Sequence, residues 1–402
     1  MQKAATIAAS PSKPYRILSI DLLRGVIMII MALDHVRDYF HTDAFLYSPT
    51  DLDRTSVVLF FTRWITHFCA PIFVLLAGTS AFLSGRRKTK NELSAFLLKR
   101  GLWLIFLELT VINFAWFFNT HFSFEILATI WALGVSMICL SGLAFLPKRA
   151  ILITGIILIV AHNLLDSVHV PGNSLRAFGW GILHEQELFT FGHFAILTAY
   201  PVLPWIGVMA LGYCLGSLFT ADVDAIKRKK ILMWLGLSSL LIFIIIRFIN
   251  IYGDLHQWSH QASAIFTLLS FINVTKYPPS LDYLLITLGV ALFFLAFSEK
   301  PLNRFTKIIS VYGRVPMFYY LVHLYVIHLL AMLAAVWLGF KWTDMTSFTT
   351  WINYLQNLKG YGVSLWVVYL IWLVIVVALY PLCKRYDRYK TAHKEKWWLA
   401  YL

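Results

Sequence analysis

The sequence contains little charge. Asp, Glu, Lys and Arg make up 13% of the 402 residues, whereas roughly 25% is usual in soluble domains. Hydrophobic residues make up 59%, so the chain lacks the polar exterior that a soluble protein of this length needs. Apolar runs such as 231–246 and 365–379 reach, with their flanks, the roughly 20 residues that cross a bilayer. The scarcity of charge therefore predicts an integral membrane protein.

Cysteine is also scarce, and the spacing of the cysteines argues against two classes of site. The four cysteines lie far apart, in or beside apolar runs, without CxxC or Cys/His metal spacing: Cys69, Cys139, Cys214 and Cys383. We therefore predict neither a disulfide framework nor a metal site. No cleavable signal peptide is evident. No internal repeat is visible, which counts against an inverted-repeat transporter.

The positive charge follows a topological pattern. The net charge is +14, but the Lys and Arg residues fall in short clusters between apolar runs, so we predict no nucleic-acid partner. Every second loop is basic, which by the positive-inside rule indicates an even number of spans and both termini in the cytoplasm. We predict an all-α, polytopic membrane helix bundle of about ten transmembrane helices. The predicted segments lie near 17–40, 56–84, 93–118, 124–146, 149–166, 193–219, 228–250, 280–297, 312–339 and 362–383.

Three regions are predicted along the chain. Residues 1–15 are rich in Ala, Ser and Pro and are expected to form a disordered cytoplasmic N-terminus. Residues 16–385 form one transmembrane domain, and residues 386–402 form a cytoplasmic amphipathic tail that ends in KWWLAYL. One ambiguity remains, because the apolar stretch 264–272 fits either a short interfacial helix or an extra span.

The first predicted helix carries an unusual number of ionisable residues. Asp21 and Arg24 are three residues apart and can pair on one face, or Arg24 can bind an anionic ligand that enters from the cytoplasm. His35 lies eleven positions after Arg24, about 16 Å along the helix, and histidine is suited to proton transfer near neutral pH. Two aspartates on the same helix are candidates to orient it, and a second histidine stands at the mouth: Asp34, Asp38 and His41.

Polar residues recur in the other predicted spans. Arg63 and His67 are spaced i,i+4 and share a face. Asn113 lies in the third span, and Arg314 and His323 lie in the ninth. Ionisable groups within a bilayer are costly unless they face a cavity or a partner. Pairing between helices would satisfy some of them, but their number predicts a polar cavity in the non-cytoplasmic half of the bundle.

These motifs resemble a known family. The stretches RILSIDLLRG at 16–25 and MALDHVRDYFH at 31–41 resemble the bacterial branch of the heparan-alpha-glucosaminide N-acetyltransferase family. The arginine and histidine with ten residues between them also resemble the signature of the wider transmembrane acyltransferase superfamily. Further similar stretches lie at 66–85, 203–213, 275–281 and 313–323 and in the terminal KWWLAYL, so the resemblance covers nearly the whole chain.

The resemblance implies a membrane-bound acyltransferase. Its donor would be acetyl-CoA from the cytoplasm, and its acceptor a glycan or small molecule with an amine or hydroxyl on the periplasmic side of a bacterial inner membrane. The base would be His35 or His41. Lysosomal members carry Asn at the position of His35 and their histidine near His41, but His35 fits the superfamily spacing and is favoured.

The other site roles are also implied by the resemblance. Acceptor and oxyanion contacts would come from Arg37, Arg63, His67, Asn113 and His323. CoA would be held by Arg24 with its neighbour Asp21, and by Lys99 and Arg100, because the sequence has no Gly-rich phosphate loop.

Two other classes of function stay open from the residues alone. The chain of His, Asp and Arg is also what a proton relay in a transporter or permease for a small polar solute needs. A structural or sensory protein whose cavity binds lipid is a third interpretation. Membrane lipid and a second copy of the chain are further partners that the sequence leaves open.

Overall fold

The structure is a computed structural model that describes residues 17–346 and 355–400. Fifteen helices are described: α1 Leu18–Phe40, α2 Val57–Trp64, α3 Cys69–Gly85, α4 Lys90–Leu107, α5 Asn113–Phe117, α6 Thr129–Leu143, α7 Lys148–Ala161, α8 Leu175–Leu183, α9 Leu203–Leu215, α10 Ala225–Ile249, α11 Ala264–Ile272, α12 Leu281–Phe297, α13 Arg304–Arg314, α14 Pro316–Trp337 and α15 Leu365–Ala392. Three short strands accompany them: β1 Phe124–Ile126, β2 Leu188–Phe191 and β3 Phe194–Leu197. The predicted all-α class is confirmed.

Five helical units are long and apolar enough to cross a membrane: Val57–Gly85, Lys148–Leu165, α10, α14 and α15. Three shorter units, α6, Leu203–Phe219 and α12, are apolar but have at most 17 residues. Helix α1 has 23 residues, which span about 34 Å, but it carries five Asp and Arg residues. Each predicted span overlaps a helix, and the number of ten stays a prediction.

Two of the predicted helix starts were wrong, and the end predicted at 383 falls nine residues before the end of α15 at Ala392. The segments 124–146 and 193–219 begin as strands, and their helices begin only at Thr129 and Leu203. Strand β3 lies in the middle of a three-stranded sheet, parallel to β1 and antiparallel to β2. The residues of β1 and β3 are buried or half-buried, and short buried strands have the same apolar composition as the start of a membrane helix.

The stretch 264–272, for which an interfacial helix and an extra span were both predicted, forms the short helix α11. Helix α11 has nine residues, about 14 Å of helix, and is too short for a hydrocarbon core of about 30 Å. The extra span is therefore excluded. Helix α15 continues to Ala392, seven residues past the predicted domain boundary at 385. Residues 1–15 lie outside the described residues.

Helix α1 lies at the centre of the bundle, packed against α3, α13, α14 and α15. Glycines permit the closest approaches. A Cβ atom at Gly313 of α13 would overlap the carbonyl oxygen of Asp21, and one at Gly212 of α9 would overlap the carbonyl oxygen of Leu75 in α3. Small residues at such contacts are the usual means by which membrane helices approach each other.

A substitution at Gly212 tests this packing. Gly212→Ala should destabilise the protein by about 1–3 kcal/mol, because a rigid backbone atom must move to accept the added methyl group. The matched control is Gly142→Ala, where a Cβ atom would meet nothing within 4 Å. Thermal denaturation in detergent, followed by size-exclusion chromatography, measures both. Equal midpoints for the two variants would contradict the close contact between α3 and α9.

Candidate functional site

A cavity of about 950 Å³ runs through the bundle beside α1. One end, which we call the basic end, is lined by four cations: Arg24, Arg100, Arg314 and Lys390. The opposite end, which we call the far end, is lined by the exposed residues Ser48, Gln186 and Glu187. Both Arg24 and His35 line the cavity, so it follows α1 over about 16 Å.

His35 is held by a second histidine. Its Nδ1 lies 2.8 Å from Nε2 of His323, and Nδ1 of His323 lies 2.6 Å from the carbonyl oxygen of Tyr319. A carbonyl can only accept, so His323 carries its proton on Nδ1 and, when neutral, accepts on Nε2. His35 then donates from Nδ1. Its Nε2 is left with a free lone pair on a residue that lines the cavity.

The ring of His35 is enclosed by aromatic side chains. Trp116 stands edge-on at 4.8 Å between ring centroids, and Tyr320 lies at 6.0 Å. Both residues line the cavity. The histidine is therefore 6% exposed, and its orientation is determined by neighbours from α5 and α14.

A network of ion pairs surrounds the end of α1. Asp34 accepts from Arg63 at 2.7 and 2.9 Å, from Thr66 at 2.9 Å, and from Arg37 at 2.8 Å. Arg37 also contacts Asp38 at 2.5 Å. Among the described residues, the two aspartates thus contact arginines and Thr66, and the hydrogen-bond partner that orients His35 is His323.

Arg37 retains unused donors. Its side chain is 2% exposed, yet Nε and Nη1 have no hydrogen-bond partner among the described residues. A buried, unsatisfied charged donor is costly. Arg37 lines the cavity two residues from His35, but these two nitrogen atoms are themselves buried, so the guanidinium can act on a ligand in the cavity through its charge.

The basic end contains the predicted pair on α1. Arg24 Nη1 lies 3.8 Å from Asp21, which confirms that the two residues pair. Arg24 also donates to the carbonyl of Gly313 at 3.3 Å and to Ser80 Oγ at 3.1 Å. Arg100 is half-buried and lines the cavity, whereas Lys99 is exposed and outside its lining.

Besides Lys99, five predicted site residues lie outside the cavity lining: Asp21, His41, His67, Asn113 and His323. The Asn113 amide bonds the backbone of Glu108 and Ile126, so its described contacts attach β1 to α5. His41 accepts from the backbone N–H of Asp43 at 3.3 Å, and burial lowers its pKa. His67 precedes Pro71 by four residues. Because proline has no N–H, the His67 carbonyl is free to accept the Tyr283 hydroxyl at 2.7 Å.

Other residues of the cavity were not predicted. Lys276 and Tyr277 lie in the stretch TKYPPSL, and Tyr320 and Lys390 come from the last two long helices. The Tyr277 hydroxyl lies 3.4 Å from Arg63 Nη2. A lysine and a tyrosine beside two prolines are typical of an ordinary surface loop, so the only signal in the sequence was the resemblance of that stretch to the family.

The ion pair between Asp34 and Arg63 provides a stability test. Arg63→Gln should lower the free energy of unfolding by about 3 kcal/mol, because it removes one partner of a buried carboxylate. The double variant Asp34→Asn, Arg63→Gln should recover part of the loss. Arg54→Gln, at an exposed arginine, should stay within about 0.5 kcal/mol of the wild type. Thermal denaturation of the four proteins measures this, and additive losses in the double variant would contradict the pairing.

Comparison with known proteins adds an independent observation. Residues 16–248, more than half of the chain, match the family model described as heparan-alpha-glucosaminide N-acetyltransferase, catalytic. No curated protein matches the chain. The matched region includes α1 with Arg24 and His35, whereas Lys276, Tyr277 and His323 lie beyond it. The chain therefore belongs to the heparan-alpha-glucosaminide N-acetyltransferase family of membrane acetyltransferases.

Proposed function

We propose that this protein transfers an acetyl group from acetyl-CoA, bound at the basic end, to an amine or hydroxyl of a sugar-type acceptor that enters at the far end. The observation that carries the proposal is the single cavity that joins four cations to His35 and continues to exposed residues beyond it. By the positive-inside rule the basic end faces the cytoplasm. The far end would then face the periplasm across an inner membrane.

The basic end suits the donor. CoA carries phosphates, and charge-assisted hydrogen bonds to phosphates are strong. The cations that line this end are Arg24, Arg100, Arg314 and Lys390, of which Arg314 also pairs with Asp387 at 2.7 Å. Between Arg24 and His35 the cavity wall is largely apolar, and includes Met28, Met31, Phe73, Ala77 and Leu133. Such a passage accommodates the flexible pantetheine arm, which would bring the thioester to His35 while the phosphates stay at the basic end.

His35 and the residues around it provide the groups that acyl transfer needs. His35 Nε2 accepts the proton of the acceptor as the amine or hydroxyl oxygen attacks the thioester carbon. His323 and the Tyr319 carbonyl stabilise the resulting imidazolium through the chain of hydrogen bonds. The positive charge of Arg37 stabilises the oxyanion. When the C–S bond breaks, His35 returns the proton to the CoA sulfur.

A transporter would also use a cavity that reaches both ends of the bundle. The two proposals separate in proteoliposomes, where a transporter moves solute without acetyl-CoA, and a transferase releases CoA only as an acetylated product forms.

Binding of acetyl-CoA tests the proposed donor site. Isothermal titration of the purified protein with acetyl-CoA should show saturable binding, and Arg24→Ala should weaken it by about tenfold to a hundredfold, because a charge-assisted hydrogen bond contributes roughly 1.5–3 kcal/mol. Arg54→Ala, at an exposed arginine outside the cavity lining, is the matched control. Folded protein that binds neither acetyl-CoA nor CoA would overturn the proposal.

The second prediction separates the two histidines. His35→Ala should slow CoA release from acetyl-CoA by about 10²–10⁴-fold, the usual contribution of a general base, while acetyl-CoA still binds. His41→Ala should retain activity, because His41 lies outside the cavity lining. Release is measured with hexosamine acceptors and with water alone. The reverse result, an active His35→Ala and an inactive His41→Ala, would move the base to His41.

A further inference from the structure

The segment Thr275–Leu281 is held in place by several parts of the chain. Asp254 is 2% exposed in its side chain. It accepts from the Thr275 N–H at 2.8 Å, the Thr275 hydroxyl at 2.6 Å and the Ser280 hydroxyl at 2.6 Å. Asn163 accepts from the Leu281 N–H at 2.9 Å. An irregular segment in a membrane protein is tolerated where its backbone groups are satisfied in this way.

Two further side chains, His162 and Arg247, bind backbone carbonyls in and just before this segment. His162 Nε2 lies 2.9 Å from the Pro279 carbonyl, and Arg247 donates to the carbonyl of Asn273 at 3.0 Å. Arg247 is itself 2% exposed. These buried polar residues thus hold one short segment from both sides, and the side chains that the segment directs into the cavity are Lys276 and Tyr277.

Lys276 is a third cation at this end of the cavity, where Glu187 is a third carboxylate. Two carboxylates, Asp34 and Asp38, face two guanidiniums, Arg37 and Arg63, in the network described above. Lys276 is 9% exposed, and the ion pairs found within the described parts of the chain do not include it. Its ammonium lies 5.1 Å from the ring centroid of Tyr277 and 6.0 Å from that of Tyr200.

The charge of Lys276 acts on the ionisable side chains around His35. It lies within electrostatic range of His35, Asp34 and His67. It also acts on the neighbouring phenol: burial raises the pKa of Tyr277, but Lys276 and Arg63 outweigh burial and lower it. A phenol polarised in this way is a stronger hydrogen-bond donor. A cation that belongs to none of the ion pairs among the described residues favours negative charge that develops beside it.

We propose that Lys276 is a further catalytic residue, whose ammonium stabilises the oxyanion of the acyl-transfer step together with Arg37. This inference rests on the proposed function. Attack on the thioester carbon forms the new C–N or C–O bond and moves the C=O electron pair onto oxygen. Lys276 faces that oxygen, and Tyr277 adds a hydrogen bond. When the carbonyl re-forms, the C–S bond breaks and CoA leaves with the proton from His35.

The test is a comparison of Lys276→Met with Lys276→Arg. Lys276→Met keeps the length of the side chain without its charge, and should lower kcat for CoA release by about 10²–10³-fold, the usual cost of one oxyanion donor. The Kd and KM for acetyl-CoA should change less than threefold, because the CoA phosphates lie at the basic end. Lys276→Arg should recover at least a tenth of the wild-type kcat, and Tyr277→Phe should lose less than Lys276→Met.

The controls separate catalysis from folding. Lys359→Met, at an exposed lysine, should behave as wild type. If Lys276→Met does not yield folded protein, Lys276→Cys is alkylated with 2-bromoethylamine, which rebuilds a lysine analogue, and wild type treated alike corrects for the native cysteines. Recovery of kcat on alkylation supports the role of the charge.

Three outcomes would overturn the inference while leaving the proposed function intact. Lys276→Met with wild-type kcat would remove Lys276 from catalysis. Equal losses of acetyl-CoA binding and kcat would make Lys276 part of the donor site. Acetylation of Lys276, found by peptide mass spectrometry after incubation with acetyl-CoA, would make it a covalent carrier. Wild type that binds no acetyl-CoA and releases no CoA would instead overturn the proposed function, and this inference with it.

Discussion

The structure depends on the neutralisation of charge within a helix that lies at the centre of a membrane bundle. Helix α1 carries Asp34, Arg37 and Asp38 within two turns, and burial of any one of them alone would cost several kcal/mol. Arg63 from α2 completes the network. Because the charges pair with each other, α1 can occupy the centre of the bundle, and the residues that it carries can line an internal cavity.

The same helix connects two kinds of contact that acyl transfer requires. At its start, Arg24 faces the basic end with Asp21, Ser80 and Gly313 around it. Nearer its end, His35 meets His323 of α14. In the proposed mechanism, one rigid element thus positions donor binding and proton transfer and keeps their separation constant. Catalytic groups on helices are held more closely than groups on loops.

The family match ends at residue 248, but the cavity does not. Lys276, Tyr277, Arg314, Tyr320 and Lys390 all line it, and His323 touches His35. The matched half therefore contributes Arg24, His35 and the aspartate network, and the second half contributes His323 and Lys276. The complete site exists only when both halves pack against α1.

The sequence by itself determined the membrane class, the position of most helices, the pairing of Asp21 with Arg24, and the family, because these depend on local composition and on spacing along one helix. It did not determine the strands at 124–126 and 194–197, since short buried strands and helix starts have the same apolar composition. It also assigned to Asn113 and His67 an expected ligand role, whereas the described contacts of both residues are structural. The hydrogen bond between His35 and His323 joins residues 288 positions apart, and Lys276 enters the cavity only because Asp254, Asn163 and His162 hold its segment in place. Those contacts depend on which helices meet, so only the tertiary structure decided them.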